Sequence, residues 1–243
     1  MTPVVFVHGF MGGSAQWQLQ YADIGEAHRL ICVDLPGFGK RCKDAPENSI
    51  AGLAKRVFCA LDAQGVKRFH LMGHSMGGMI AQEMMHQCPD RIERLVLYGT
   101  GAVGVLPGRF ETIAESKQRG QQDGIKRTAR RIAATWFLEG EAAKRYPACA
   151  AIAEQTAEAA FLAGLDAMEG WSGEDNLKAF NSKTLVIWGD RDRTYSWPQV
   201  ERLWQSIPDA ALAVVPGCAH AVHMEKPELF NPLLLDFLSP RHR

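Results

Sequence analysis

The sequence has no excess of charge of either sign, because its 243 residues include 27 Lys and Arg and 27 Asp and Glu. A chain without net charge exerts no long-range attraction on nucleic acid or on an anionic membrane. One basic cluster recurs at helical spacing and is interpreted as the solvated face of a helix: Lys126, Arg127, Arg130 and Arg131. We therefore expect neither a nucleic-acid partner nor a membrane partner.

Long apolar runs and paired cysteines are also lacking. The first apolar run, residues 3–7, is interrupted by His8 and Gly9, and no stretch is long and apolar enough to cross a bilayer. Neither a C-x-x-C pair nor a metal-like spacing occurs among the six cysteines, which are Cys32, Cys42, Cys59, Cys88, Cys149 and Cys218. We expect reduced thiols, no metal site and a cytoplasmic location.

What the sequence does contain is an alternation of strand and helix patterns. Apolar runs rich in β-branched residues predict strands at 3–7, 28–34, 68–72, 94–98, 184–188 and 211–215. Helical spacing of apolar residues predicts helices between them, and Ser49 is a plausible N-cap of the helix over 50–64. This alternation predicts an α/β fold with a parallel sheet that helices cover on both faces.

The pattern changes between residues 104 and 180, where the chain is rich in Ala, Gln, Glu and Arg and contains no convincing strand. We interpret this stretch as a helical cap inserted between two strands of the sheet. The expected organisation is a core of residues 1–103 and 181–243 with a cap of residues 104–180. The alternative is that these helices simply cover one sheet face.

The run at 68–72 leads into Gly73-His74-Ser75-Met76-Gly77, and helical spacing follows. A serine between a strand and a helix lies on a tight, strained turn, which needs small residues on either side and exposes the hydroxyl. The first amides of the following helix offer hydrogen bonds to an oxyanion. We interpret Ser75 as a nucleophile. The alternative is a glycine-rich turn with an incidental serine.

A serine hydroxyl needs a histidine to accept its proton and an acid to orient that histidine. Two later loops supply these residue types, each directly after a predicted strand. The first contains Asp190 and Asp192, and the second contains His220 and His223. The residues alone leave both pairs open.

Three further stretches resemble patterns of the α/β-hydrolase superfamily over nearly the whole chain. They are His8-Gly9-Phe10 (an H-G-x oxyanion loop), residues 34–39 (a D-x-x-G-x-G turn) and residues 217–227 (a G-x-x-H-x-x-x-x-E-x-P ending). The resemblance implies Ser75 as nucleophile, His220 as general base and acid, and Asp192 as the acid. It also implies an oxyanion hole formed by the amides of Phe10 and Met76, and it implies no metal or organic cofactor.

The family usually has two antiparallel strands before the strand that ends in His-Gly, whereas only two residues precede that strand here. We therefore expect a six-stranded, all-parallel sheet in the order 2-1-3-4-5-6. By the same resemblance, His8 shapes the oxyanion loop rather than transferring protons, and His223 is a neighbour of the base that lines the pocket.

The substrate pocket is expected between Ser75 and the cap, with walls formed by Phe10, Met11, Met76, Trp136, Phe137, Leu138, Met168 and His223. An apolar pocket favours a small ester, thioester or lactone, handled by a monomer or homodimer. Three alternatives remain: a carbon–carbon bond hydrolase of aromatic ring-fission products, a lyase of the menaquinone-pathway type, and a ligand receptor without catalysis. That lyase family carries Arg after its elbow glycines, where Met79 stands here.

A literal G-x-G-x-x-G, residues 99–104, follows a predicted strand. A dinucleotide site needs a helix that begins within this loop and presents its amides to pyrophosphate. Leu106-Pro107-Gly108 follows instead. We therefore expect no nucleotide site.

Overall fold

A single parallel sheet forms the centre of the protein, described here from a computed structural model over residues 2–105, 108 and 110–239. Within these residues the sheet has the strands β1 Val4–Val7, β2 Leu30–Val33, β3 Phe69–His74, β4 Ile92–Tyr98, β5 Lys183–Gly189 and β6 Ala211–Val215. Their order is β2-β1-β3-β4-β5-β6, and every neighbouring pair is parallel. The predicted fold class and strand order are confirmed.

Helices cover both faces of this sheet. The α-helices are α1 Gln18–Ala27, α2 Ile50–Asp62, α3 Met76–Gln87, α4 Ile113–Asp123, α5 Ile125–Ala134, α6 Tyr146–Ala153, α7 Glu158–Glu169, α8 Trp197–Ser206, α9 Val222–Glu225 and α10 Pro227–Leu238. Val4 and Phe6 of β1 pack in one buried cluster with residues of α1 and α10, whereas Val5 and Val7 pack in the other with α2 and α3. Successive strand residues point to opposite faces, which explains why a continuous apolar run encodes a central strand.

The predicted N-cap of α2 is confirmed. The Gly52 amide donates a hydrogen bond of 3.1 Å to Ser49 Oγ and so satisfies one of the free donors of the first turn.

The residues between β4 and β5 contain α4, α5, α6 and α7. In the described part of this stretch the only β-type pairing is an isolated bridge between Val103 and Ser172. A side chain at Gly164 of α7 would place its Cβ 2.8 Å from the Phe10 ring, so this helix lies directly on the loop after β1. We call residues 104–180 the cap segment. Its status as a separate domain stays a prediction.

No helix begins within residues 99–104. The next helix, α4, starts at Ile113, and Gly104 lies against the backbone carbonyl of Met168, which a Cβ at Gly104 would approach to 1.6 Å. Residues 106, 107 and 109 lie outside the described residues. Among the helices of the described part, none is both long and apolar enough to cross a bilayer.

The turn between β3 and α3 depends on two backbone approaches that leave no room for a side chain. A Cβ at Gly73 would lie 2.2 Å from the Gly77 carbonyl oxygen, and a Cβ at Gly77 would lie 2.3 Å from the Val7 carbonyl oxygen. Because these neighbours are backbone atoms, they cannot move aside as a flexible side chain would. The glycines therefore allow α3 to begin directly over β1 and β3.

We expect Gly73→Ala to lower the free energy of unfolding by about 1–3 kcal/mol or more, because the methyl group forces the turn apart. Gly25→Ala is the matched control. Gly25 lies in α1 with nothing near its Cβ position, so alanine is expected to raise stability by about 0.5–1 kcal/mol. Urea unfolding of both variants measures the difference, and equal effects would contradict this account of the turn.

Candidate active site

Ser75 lies at the junction of β3 and α3 in a backbone conformation that is rare for residues with a side chain. Its φ is 57° and its ψ is −122°, a combination that costs about 1–3 kcal/mol unless its surroundings hold it. The Ser75 amide donates to the Tyr98 carbonyl at 3.0 Å, while the Gly78 amide and the Thr100 hydroxyl both donate to the Ser75 carbonyl at 2.8 Å. These bonds hold the turn so that the Ser75 side chain lines a small cavity with His220.

His220 and Asp192 form a buried pair. His220 Nδ1 donates to Asp192 Oδ2 at 2.8 Å, and the exposed fractions of the two side chains are 1% and 0%. The other carboxylate oxygen accepts from the amides of Thr194 (2.7 Å) and Tyr195 (3.1 Å), which fixes the orientation of the carboxylate. This arrangement places the proton on Nδ1 and leaves Nε2 free to accept one.

The two competing residues in these loops have different partners. Asp190 Oδ1 accepts from the amides of Gly217 (2.6 Å) and Cys218 (3.4 Å), so Asp190 ties the two loops together and does not reach the imidazole of His220. His223 is buried, and its Nδ1 lies 3.0 Å from the Tyr98 hydroxyl.

The amides of Phe10 and Met76 are candidates for an oxyanion hole. Both residues line the cavity region or its edge, since Phe10 is on the cavity wall and Met76 is the first residue of α3. Neither amide donates a hydrogen bond to any residue of the described ranges. A Cβ at Gly9 would lie 2.8 Å from Ser75 Cβ, so the loop that carries Phe10 closely approaches Ser75.

His8 and Asp34 organise that loop. The Leu35 amide donates to His8 Nε2 at 3.0 Å, so His8 Nδ1 carries the proton and donates to the Gly9 carbonyl at 2.8 Å. Burial lowers the pKa of His8, which agrees with a neutral ring. The two Asp34 carboxylate oxygens accept from the Ser14 amide (2.7 Å) and hydroxyl (2.8 Å) and so join the loop after β1 to the turn after β2.

The described residues record no hydrogen bond between the Ser75 hydroxyl and His220. Bonds of this kind are frequently long in proteins without a bound substrate and tighten in the complex. The cavity between them measures about 10 Å³, which is roughly the space that one water molecule needs.

The chain matches the model of the alpha/beta hydrolase fold over residues 2–227. It belongs to the α/β-hydrolase family. A 2-hydroxy-6-oxo-6-phenylhexa-2,4-dienoate hydrolase of Comamonas testosteroni is 29% identical over 98% of this chain and 88% of its own. A thermophilic esterase from Thermogutta terrifontis is 25% identical, with a TM-score of 0.87 over 98% of this chain and 89% of its own. An enol-lactonase from Burkholderia xenovorans, 22% identical, shares the fold with a TM-score of 0.88 over 98% and 92% of the two chains.

Within this α/β-hydrolase, the cavity walls include only part of the predicted lining. The described wall residues are Gly9, Phe10, Gln16, His74, Ser75, Trp136, Cys149, His220, Ala221, His223 and Met224. Phe10, Trp136 and His223 were expected there. The Trp136 ring centre lies 6.1 Å from that of His220, and the Ala221 amide donates to the Trp136 carbonyl at 2.9 Å.

Four residues of the predicted lining lie elsewhere in the described structure, which corrects that expectation. Met11 is fully buried in the core, Phe137 packs on the Tyr146 ring, and Met168 lies with its backbone against Gly104. Leu138 is 41% exposed and borders a separate surface groove near Glu225. The cause is the direction of the chain at 136–138: Trp136 alone turns towards His220, and the next two side chains point away.

Sequence reasoning missed Gln16, Cys149, Ala221 and Met224 as wall residues. Gln16 and Cys149 carry no motif, and their approach to Ser75 depends on how the cap segment and the loop after β1 pack. In the described residues no group of His, Cys, Asp and Glu side chains has the arrangement of a metal site.

The histidines around the cavity are held neutral by burial. Burial, reinforced by the neighbouring His220, lowers the pKa of His223 to about 3, and burial lowers the pKa of His74 well below its usual value. The unfolded chain protonates near pH 6.5, so it binds more protons than the folded protein at lower pH. Stability is therefore fully present above pH 6.5 and falls as the pH drops towards the folded pKa.

We expect His223→Asn to flatten this pH dependence. Asparagine can still donate to the Tyr98 hydroxyl but does not titrate, so the fall in unfolding free energy between pH 6.5 and pH 4 should lessen by up to about 1.4 kcal/mol per pH unit. Urea unfolding at several pH values measures both slopes. Equal slopes for the variant and the unaltered protein would show that His223 titrates normally when folded.

Proposed function

We propose that the chain is a serine hydrolase that cleaves a small, uncharged carboxylic ester, thioester or lactone through an acyl-enzyme on Ser75. The observation that carries this proposal is the buried Asp192–His220 hydrogen bond of 2.8 Å on the wall of the cavity that Ser75 also lines. No other arrangement of base and acid is needed for the chemistry that follows.

In the first step Ser75 Oγ attacks the carbonyl carbon while His220 Nε2 takes the hydroxyl proton. The carbonyl π electrons move to oxygen, and the amides of Phe10 and Met76 donate to this oxyanion, a contribution of roughly 3 kcal/mol per donor. Asp192 stabilises the imidazolium and keeps the proton on Nδ1. The bond to the leaving group then breaks, and His220 returns the proton to the departing oxygen or sulfur.

In the second step water enters in place of the leaving group. His220 takes a proton from water as the water oxygen bonds to the acyl carbon, and the same amides stabilise the second oxyanion. Collapse breaks the Ser75 Oγ–carbon bond, returns the proton to Oγ and releases the carboxylic acid.

The charge of the cavity favours an uncharged substrate. Apart from the histidines, the described wall residues carry no ionisable side chain except Cys149, and burial raises the pKa of that thiol to about 12. Burying a carboxylate without a cationic partner is costly. An ester or lactone without a second charge meets no such penalty.

A carbon–carbon bond hydrolase is the second candidate, favoured by the similarity to the Comamonas dienoate hydrolase. The same nucleophile, base and acid serve that reaction. Its substrate is a carboxylate, however, and the described cavity wall contains no Lys or Arg to receive one. The charge of the wall therefore places this reaction second.

We expect Ser75→Ala and Asp192→Asn each to lower kcat for p-nitrophenyl butyrate by about 10⁴-fold or more. Asp190→Asn is the matched control. It removes the same charge two residues away but keeps an oxygen for the Gly217 amide, so a loss below about tenfold is expected. Turnover by Ser75→Ala at the rate of the unaltered protein would end the nucleophile assignment.

A fluorophosphonate distinguishes the remaining alternatives. A hydrolase is labelled at Ser75 and turns esters over, whereas a receptor is labelled stoichiometrically without turnover. A lyase of the menaquinone-pathway type gives no ester turnover on the same panel.

Substrate charge provides a separate prediction. We expect kcat/KM for p-nitrophenyl butyrate to exceed that for the mono-p-nitrophenyl ester of succinate by at least about tenfold, because the second ester carries a carboxylate into a wall without cations. A vinylogous diketone carboxylate should be slower still. Preference for either carboxylate would reverse the order of the two candidate functions.

A further inference from the structure

Three buried polar side chains on the cavity wall each have an atom without a hydrogen-bond partner among the described residues. The atoms are Gln16 Nε2, His74 Nδ1 and His223 Nε2. Their residues are 7%, 5% and 1% exposed. Buried polar atoms without partners are uncommon, so three of them around one small cavity indicate a polar group that binds there.

The partners of the two imidazoles assign their protons. His74 Nε2 lies 3.2 Å from the His220 carbonyl, which can only accept, so Nε2 carries the proton and Nδ1 presents a lone pair. The Tyr98 hydroxyl donates its single proton to the same carbonyl at 2.8 Å. His223 Nδ1 must then donate to the Tyr98 oxygen at 3.0 Å, which leaves Nε2 with a lone pair. The cavity thus offers two acceptors and one amide donor.

This set of groups selects a hydroxyl. A carboxylate has no proton to donate and would face two lone pairs, while an alkyl group would leave all three polar atoms unpartnered. A hydroxyl donates one hydrogen bond to an imidazole nitrogen and accepts another from the Gln16 amide. The cavity volume of about 10 Å³ fits a group of that size.

We propose that Gln16, His74 and His223 form a subsite that binds a hydroxyl group on the acyl part of the substrate. The inference rests on the proposed function, because it needs an acyl group attached to Ser75. The acyl part is favoured over the alcohol part, since the leaving group must depart before water attacks, whereas the acyl part stays bonded to Ser75 beside these side chains.

The experiment compares isosteric esters with and without the hydroxyl. The p-nitrophenyl esters of glycolate and propionate form one pair, and those of 3-hydroxypropionate and butyrate form the other. The quantity measured is the ratio of kcat/KM within each pair, divided by the same ratio for hydroxide-catalysed hydrolysis. We expect this corrected ratio to be at least about tenfold in favour of the hydroxylated ester for one pair.

Two substitutions at one position separate the cavity atom from the structural contact. In His223→Asn the amide replaces Nδ1 and keeps the Tyr98 contact but has nothing at the Nε2 position, so the ratio should fall to near one. In His223→Gln the amide oxygen takes the Nε2 position, so much of the preference should remain. Gln16→Met removes the donor at nearly constant volume and should also lower the ratio.

His70→Asn is the matched control, because His70 is buried with an unpartnered Nδ1 but does not line the cavity. Its ratio should equal that of the unaltered protein, and circular dichroism confirms that each variant is folded. A corrected ratio near one in the unaltered protein, or one that neither His223→Asn nor Gln16→Met changes, would overturn the subsite. If no ester is hydrolysed and fluorophosphonate does not label Ser75, the proposed function fails and the subsite with it.

Discussion

The strained backbone of Ser75 is the constraint on which the site depends. A positive φ at a residue with a side chain persists only where neighbours compensate for it, and here the hydrogen bonds come from three successive parts of the chain: β4, α3 and Thr100. The same turn forces Gly73 and Gly77 into backbone contact. As a result the side chain of Ser75, the first amide of α3 and the loop after β1 occupy one small volume.

Polar residues around this turn divide into those that can react and those that hold the reacting loops. Asp34, Asp190 and Glu225 belong to the second group, because their carboxylates accept backbone amides from neighbouring loops. Glu225 receives the Ala219 amide at 2.7 Å and the Leu138 amide at 2.6 Å, so one carboxylate joins the His220 loop to the cap segment. The position of the imidazole is therefore set by contacts several residues away from it.

The sequence was sufficient for the sheet, because β-branched runs and short connections specify strand number and a parallel order with few alternatives. The pairing of His220 with Asp192 rather than Asp190 followed from motif spacing. The cavity wall did not follow. Trp136, Phe137 and Leu138 are equally apolar, and only the turn of the chain after α5 decides which one faces His220. Gln16 was overlooked because a lone glutamine carries no periodic or motif signal.

The closed cavity also determines how a substrate reaches Ser75. A volume of about 10 Å³ cannot hold an ester, so hydrolysis at Ser75 requires part of the wall to move. The movable side of the wall is the contact between 136–138 and the His220 loop, which two backbone amides hold: Ala221 to the Trp136 carbonyl and Leu138 to Glu225. Breaking these bonds frees the loop that carries His220 as well as the cap segment. Substrate entry and the position of the base are therefore coupled through the same two hydrogen bonds, and closure over the substrate restores both.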